Sequence, residues 1–163
     1  MRIIAIDPGY ERLGIAILDK EPRGKEMLVY SNCFFTPKTK AHHERLAMVA
    51  EEIARIINEF NPEALAIETL FFSKNTTTAL LVAEARGVIL AECSRKGLKV
   101  YEYNPSAIKI AVTGHGKSDK TQVTAMVERL VAISKPIKYD DEYDAIAVGI
   151  TLFATERFGY PQK

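Results

Sequence analysis

Hydrophobic positions along the chain fall into two rhythms. In the first part they come as short unbroken runs: Ile3-Ile4-Ala5-Ile6, then Gly14-Ile15-Ala16-Ile17-Leu18, then Met27 to Phe35. Runs this short and apolar read as strands, and the first has the pattern of a strand covered on both faces. Pro8-Gly9 and the polar stretch Asp19 to Lys25 separate them, and links so brief predict an antiparallel meander. From Ala41 the rhythm changes. Leu46, Val49, Ile53, Ile56, Ile57 and Phe60 recur at helical spacing with charge on the opposite side. Asn61-Pro62 stops that helix. His42 and His43 open it and read as solvated side chains.

The strand rhythm returns in Ala64-Leu65-Ala66-Ile67-Glu68. A long helix precedes this run, so the natural connection is a crossover that lays it parallel to the first strand. Thr69 to Lys74 is a loop with adjacent aromatics, Phe71 and Phe72. Asn75 caps a helix running to about Lys96. Its Ala79, Ala83 and Gly87 form a stripe of small residues that another helix can approach closely, from this chain or from a second copy. Gly97 ends that helix, and Leu98 to Tyr103 makes a further strand. Pro105 opens a short helix, Thr113 to Ser118 is a loop, and Asp119 with Gln122 caps another helix. The final helix begins at Asp141-Glu142-Tyr143-Asp144 and runs to Phe153, apolar nearly all round, which predicts burial against the sheet. The pattern as a whole predicts an α/β fold. It has a mixed five-stranded sheet, three strands antiparallel and then two parallel, flanked by helices, in one domain over residues 1–163.

Composition adds little to this picture. The 163 residues are 47% hydrophobic and 26% charged, ordinary for a globular chain, and enough to bury about 70% of the unfolded surface. No apolar run reaches membrane-spanning length, and the N-terminus reads as a strand rather than a signal peptide. Cys33 and Cys93 sit in apolar stretches and read as small buried hydrophobes in a reducing, cytoplasmic setting. The net charge of +1 does not advertise a nucleic-acid binder, although local patches can hide inside a neutral sum.

Candidate chemistry comes from where the acids fall. Asp7 stands at the C-terminal end of one buried strand and Glu68 at the same end of another. Carboxyl ends of strands are where open α/β sheets keep their ligand sites. If the two strands are parallel neighbours, the two acids emerge side by side. Asp141 and Asp144, spaced i, i+3 in the first turn of the last helix, would join them at the mouth of the core. No Lys or Arg lies within four residues of Glu68 or Asp144 along the chain. Carboxylates gathered this way raise one another's pKa unless cations neutralise them, and hard oxygen donors select Mg²⁺ or Mn²⁺. Two such ions about 4 Å apart suit an in-line phosphoryl displacement. Around this acidic centre, Asn104 to Thr121 carries Lys109, Lys117, Lys120 and His115 against the single acid Asp119. With Lys74 and Arg86 these predict a basic rim for phosphates, and Phe71 and Phe72 are candidates to stack on unpaired bases, with Phe72 the more suited to the core.

Ile6-Asp7-Pro8-Gly9, Ile67-Glu68 ahead of Phe71 and Lys74-Asn75, Glu84-Ala85-Arg86-Gly87, Asn104-Pro105 and Asp141-x-x-Asp144-Ala145 together resemble the bacterial Holliday-junction resolvases of the RuvC type. The likeness spans nearly the whole chain. It implies an RNase H-like fold, a homodimer, and paired Mg²⁺-dependent nicks in four-way junction DNA, with two ions per active site and Mn²⁺ as a substitute. By position, the resemblance gives Asp7, Glu68, Asp141 and Asp144 the catalytic and metal-binding roles. It matches Phe71 to the aromatic that wedges into the junction, and Lys109 and Lys120 to DNA-contacting lysines. Some members carry His where Asp141 stands. A thymine-containing cleavage sequence and cooperation with the RuvAB branch-migration motor are further implications.

Three other readings compete. An RNase H-like nuclease of the YqgF kind, acting on RNA, shares the Asp-x-Gly opening but not the Phe71 loop. Actin-like ATPases and sugar kinases also use Asp-x-Gly, but need a second large domain. In a non-catalytic junction-binding protein the acids would be purely structural.

Overall fold

The computed structural model describes residues 1–21, 24–70 and 76–156. Its elements, in order, are β1 (Arg2–Asp7), β2 (Arg12–Lys20), β3 (Glu26–Phe35), α1 (His42–Phe60), β4 (Ala64–Glu68), α2 (Thr76–Arg95), β5 (Lys99–Tyr103), α3 (Pro105–Thr113), α4 (Lys120–Leu130) and α5 (Asp140–Thr155). The five strands form one sheet in the order β3-β2-β1-β4-β5. β1, β2 and β3 pair antiparallel, β4 lies parallel to β1, and β5 parallel to β4. This is the mixed sheet that the hydrophobic pattern predicts.

The strands run longer than their apolar runs. β2 extends from Arg12 to Lys20 because its polar ends still find partners in the ladder: Arg2 pairs with Asp19 at 2.7 Å and Lys20 with Glu26 at 2.6 Å. Helix ends follow the sequence signals closely. Asn61 takes a left-handed conformation, φ 50°, to end α1. Asn104 accepts from the Ala107 amide ahead of Pro105, and Asp119 and Gln122 cap α4 reciprocally.

Alternation along the strands sorts the core into two layers. On one face Ile4, Ile6, Ile15, Ile17, Leu65 and Ile67 pack with α1 and α2, through Val49, Ile53, Ile56, Ile89 and Cys93. On the other, Ile3, Ala5, Ala16, Ala64 and Ala66 pack beneath α5, with α3 and α4 beside it. The register sets Ala5 between Ala16 and Ala66, a row of alanines across three adjacent strands. That row is where α5 settles. A Cβ on Gly149 of α5 would stand 2.6 Å from Leu18 Cδ1 and 3.1 Å from Ala5 Cβ, so the helix has no room for a side chain there.

Cys33 and Cys93 are free and buried, and burial pushes both thiols up to about 12, which leaves them inert. Among the described residues no helix is long and apolar enough to cross a membrane. His42 and His43 are exposed, as the solvated reading has it, and His42 also takes two partners. Its Nδ1 shares a 2.7 Å hydrogen bond with the Tyr10 hydroxyl and its Nε2 lies 2.9 Å from Glu84, tying α1 to α2. On α2 it is Ala85, Ile89 and Cys93 that face the core. Ala79 and Ala83 are only partly covered, and a Cβ on Gly87 would meet nothing within 4 Å.

Candidate active site

Asp7 and Glu68 share the parity of Ala5 and Ala66, so both side chains leave the sheet on the α5 face. Ile6 pairs with Ile67 across the parallel β1–β4 ladder, which makes Asp7 and Glu68 neighbours one step further on. On the other side of Asp7 the ladder partner is Gly14. Here glycine is required by space: a Cβ on Gly14 would collide with the backbone carbonyl of Asp141, so the first turn of α5 rests directly on β2. Three local features thus converge: two strand ends, a glycine gap, and a helix N-terminus seated over it.

The first turn of α5 is also held from behind. Glu142 faces away from the acids and is buried, where it accepts from the Ser31 hydroxyl at 2.8 Å and from Lys135 Nζ at 2.6 Å. Lys135 also donates to the Ser31 carbonyl at 2.6 Å. These bonds pin α5 to β3 and so fix where Asp141 and Asp144 stand.

The gathered acids change one another's chemistry. Burial, and then the charges of Glu68, Asp144 and Asp141, raise the Asp7 carboxyl well above its ordinary range. Burial and the Asp144 charge raise Glu68, against an opposing side-chain interaction with Asp7. Burial raises Asp144 as well, against the opposing pull of Lys120. Asp141 keeps its Oδ2 buried without a hydrogen-bond donor: Arg12 Nε stands 3.3 Å away but out of line.

Cations absent from the local sequence arrive by folding. Lys120, at the start of α4, sits 2.9 Å from Asp144 and 2.6 Å from Asp140. Arg12, at the start of β2, faces Asp141 and Asp140. Arg12 and Asp140 are the residues that sequence reasoning missed. The sequence held a signal for Asp140, which adjoins Asp141 in an acidic tract, but none for the pairing of Arg12 with α5.

The predicted basic rim is only partly free. Lys109 lines a pocket with Glu68, Lys120 and Asp144, walled by Ile108 and Val123, and its charge acts on Glu68. Lys117 is exposed on the α3–α4 loop. Arg86 is not a free rim residue, because its guanidinium donates to the Glu68 carbonyl at 3.1 Å and pairs with Glu102. It buttresses the β4 end. Phe71, Phe72, Lys74 and the Asn75 cap lie outside the described residues.

Whether these residues suit a divalent cation can be judged from the donors. Asp7, Glu68 and Asp144, raised by burial and by neighbouring charges, together with Asp141 and its buried oxygen lacking a donor, are the hard-oxygen set that Mg²⁺ or Mn²⁺ takes. Among the described residues they do not stand as a ready-made cage. Asp144 is engaged with Lys120, and Asp141 faces Arg12. The donor chemistry fits, with these side chains reorienting.

Comparison with known proteins agrees with the geometry. Residues 3–152 match the family described as crossover junction endodeoxyribonuclease RuvC. The RuvC of Thermosipho melanesiensis is 43% identical over 158 residues, 97% of this chain and 100% of that protein. The RuvC of Finegoldia magna is 40% identical over 160 residues, 98% of this chain and 97% of its own. Thermus thermophilus RuvC in complex with a Holliday junction substrate superposes with a TM-score of 0.86 at 28% identity, covering 93% of this chain and 92% of that one. The yeast mitochondrial Holliday junction resolvase Ydc2 has a TM-score of 0.68 at 13% identity over 93% of this chain and 78% of its own, a likeness of the RNase H-like fold alone. The acidic centre therefore sits in a chain that belongs to the RuvC family of crossover junction endodeoxyribonucleases.

Proposed function

We propose that this protein is a structure-selective DNA endonuclease that resolves four-way junctions by paired symmetric nicks during recombination and repair. One observation carries the reading: the carboxyl ends of β1 and β4 and the first turn of α5 bring Asp7, Glu68 and Asp144 together in a chain of this family. Asp7, Glu68, Asp141 and Asp144 would hold two Mg²⁺ ions, with Mn²⁺ able to substitute. When bound, such ions activate a water and stabilise the leaving 3′ oxygen of the cleaved phosphodiester.

The chain's own residues have distinct tasks in this scheme. Asp7 and Glu68 supply adjacent oxygens from rigid strand ends, and the first turn of α5, pinned by Glu142, brings Asp141 and Asp144 to meet them. Lys109 and Lys117 attract the DNA backbone toward an otherwise repulsive centre. Phe71 and Lys74 enter the reading from the sequence alone, as junction-facing residues. Two copies of the site are needed for paired cuts, so the working unit is a homodimer. The part-covered Ala79, Ala83 and Gly87 side of α2 is a candidate for its contact. A single domain over 1–163, a cytoplasmic setting and service to the RuvAB motor complete the proposal.

The test is a nicking assay with Mg²⁺ on a four-way junction beside linear duplex and structured RNA. Symmetric cuts confined to the junction are expected. Cutting of RNA would favour the YqgF kind of activity, and tight junction binding without cuts would make the protein a scaffold.

A further inference from the structure

Asp140 lies outside the four-carboxylate set, yet two cations of the site, Lys120 and Arg12, rest on it. Lys120 Nζ is 2.6 Å from Asp140 Oδ2 and 2.9 Å from Asp144 Oδ2. Arg12 lies 3.8 Å from Asp140 Oδ1 through one nitrogen and 3.3 Å from Asp141 Oδ2 through another. Each cation thus touches one acid of the site and Asp140 besides. The Lys120 and Asp140 side chains are about half exposed, at 53% and 47%, so neither is locked in place by packing.

A divalent ion bound at this centre needs Asp144, and the Lys120 ammonium already holds that carboxylate. Cation and ammonium compete for the same oxygens. Stripped of Asp144, an ammonium with no second partner loses its whole ion pair. One that keeps Asp140 loses only part of it, and stays at the rim.

We propose that Asp140 is a positioning residue: it retains the Lys120 ammonium when a divalent cation takes Asp144, and so eases metal entry into the acidic centre. This rests on the metal-site reading above. It makes a claim that simple charge counting does not. If Asp140 acted only as one more negative charge, replacing it would weaken metal binding equally whether or not Lys120 were present. If it acts through Lys120, its effect must vanish when Lys120 is gone.

The experiment is calorimetric titration of Mg²⁺ into the full chain without DNA, for wild type, Asp140→Asn, Lys120→Gln and the double variant, with circular dichroism to confirm folding. Asp140→Asn is expected to weaken binding by about tenfold, the lower end of losses seen for groups that orient metal ligands. Lys120→Gln should tighten it by roughly tenfold through removal of the competing charge. The double variant should fall within about threefold of Lys120→Gln, and Asp140→Glu should bind as wild type does. Equal losses from Asp140→Asn in both backgrounds overturn the proposal while leaving the metal site intact. Binding that Asp7→Asn does not weaken would instead overturn the metal site itself, and the proposal with it.

Discussion

The two faces of the sheet are built from different materials. The α1–α2 face is lined by isoleucine and leucine on β1, β2 and β4, with Val49, Ile53, Ile56 and Ile89 facing them. The α5 face replaces most of these with alanine: Ala5, Ala16, Ala64 and Ala66 below, Ala145, Ala147 and Gly149 above. Large branched side chains bury the most apolar area per residue and keep their helices at a distance. Small ones give up area and let a helix backbone come close. The first face supplies stability. The second supplies proximity, and it is on that face alone that Asp7, Glu68, Asp141 and Asp144 meet.

The sharpest way to separate the two is to neutralise the acids. Asp7→Asn, Glu68→Gln or Asp144→Asn should each lower junction nicking by roughly 10³-fold or more, the scale of losing several kcal/mol of charge stabilisation. Junction affinity should hold or rise, because repulsion between the acids and phosphate falls. Cleavage and gel-shift assays on the same preparations check this. Near-normal cutting by Glu68→Gln would remove the α5 face from the chemistry.

A second pair of variants contrasts the faces directly. Ile53→Ala, on the α1 side, should cost about 2–5 kcal/mol of stability, while molecules that remain folded cut normally. Gly14→Ala, on the α5 side, forces the Asp141 carbonyl away. Overpacking there should cost only about 1–3 kcal/mol, but a displacement of about 1 Å in the first turn of α5 should lower the cutting rate by about 10²-fold. Denaturant melts and single-turnover cleavage would show whether stability and activity part in this way. If Gly14→Ala cuts at the wild-type rate, close seating of α5 does not set the site.

Much of this was legible in the chain because strands advertise their ends. Asp7 and Glu68 close apolar runs, and the helix before β4 demands a parallel crossover, so their meeting follows from local pattern and connection length. Asp141 and Asp144 follow from helical spacing. The counter-ions did not, because an ion pair between Lys120 and Asp144 joins two helices, α4 and α5, whose relative placement no local pattern encodes. Arg86 shows the same limit: a basic residue beside the site reads as a phosphate contact until folding hands it to Glu102 and the Glu68 carbonyl. His42 does too, since its Tyr10 and Glu84 partners come from distant turns. Sequence pattern decides which face an acid takes. It does not decide which cation it finds there.

The smallest effect is the one that reads the stability cost of the α5 face. Burial, joined by the neighbouring charges, raises Asp7, Glu68 and Asp144 above the ordinary carboxylate range. A carboxyl raised on folding binds its proton more tightly in the native state, so its contribution to stability is present below the unfolded pKa and is lost as pH rises through the folded one. At neutral pH, without divalent ions, the cluster therefore weighs against the fold, and Asp7→Asn should be more stable than wild type. Each kcal/mol gained would raise Tm by about 2–4 °C for a chain of this size. The gain should shrink as pH falls toward 4, where the unfolded carboxyl also begins to take up its proton. Mg²⁺ added at pH 7 should raise the wild-type Tm more than that of Asp7→Asn, closing the gap from the other side. Calorimetric melts from pH 4 to 8, with and without Mg²⁺, measure all of this. An Asp7→Asn protein less stable than wild type at pH 7 would mean that Asp7 supports the fold, and that the acidic face carries no stability cost for its chemistry.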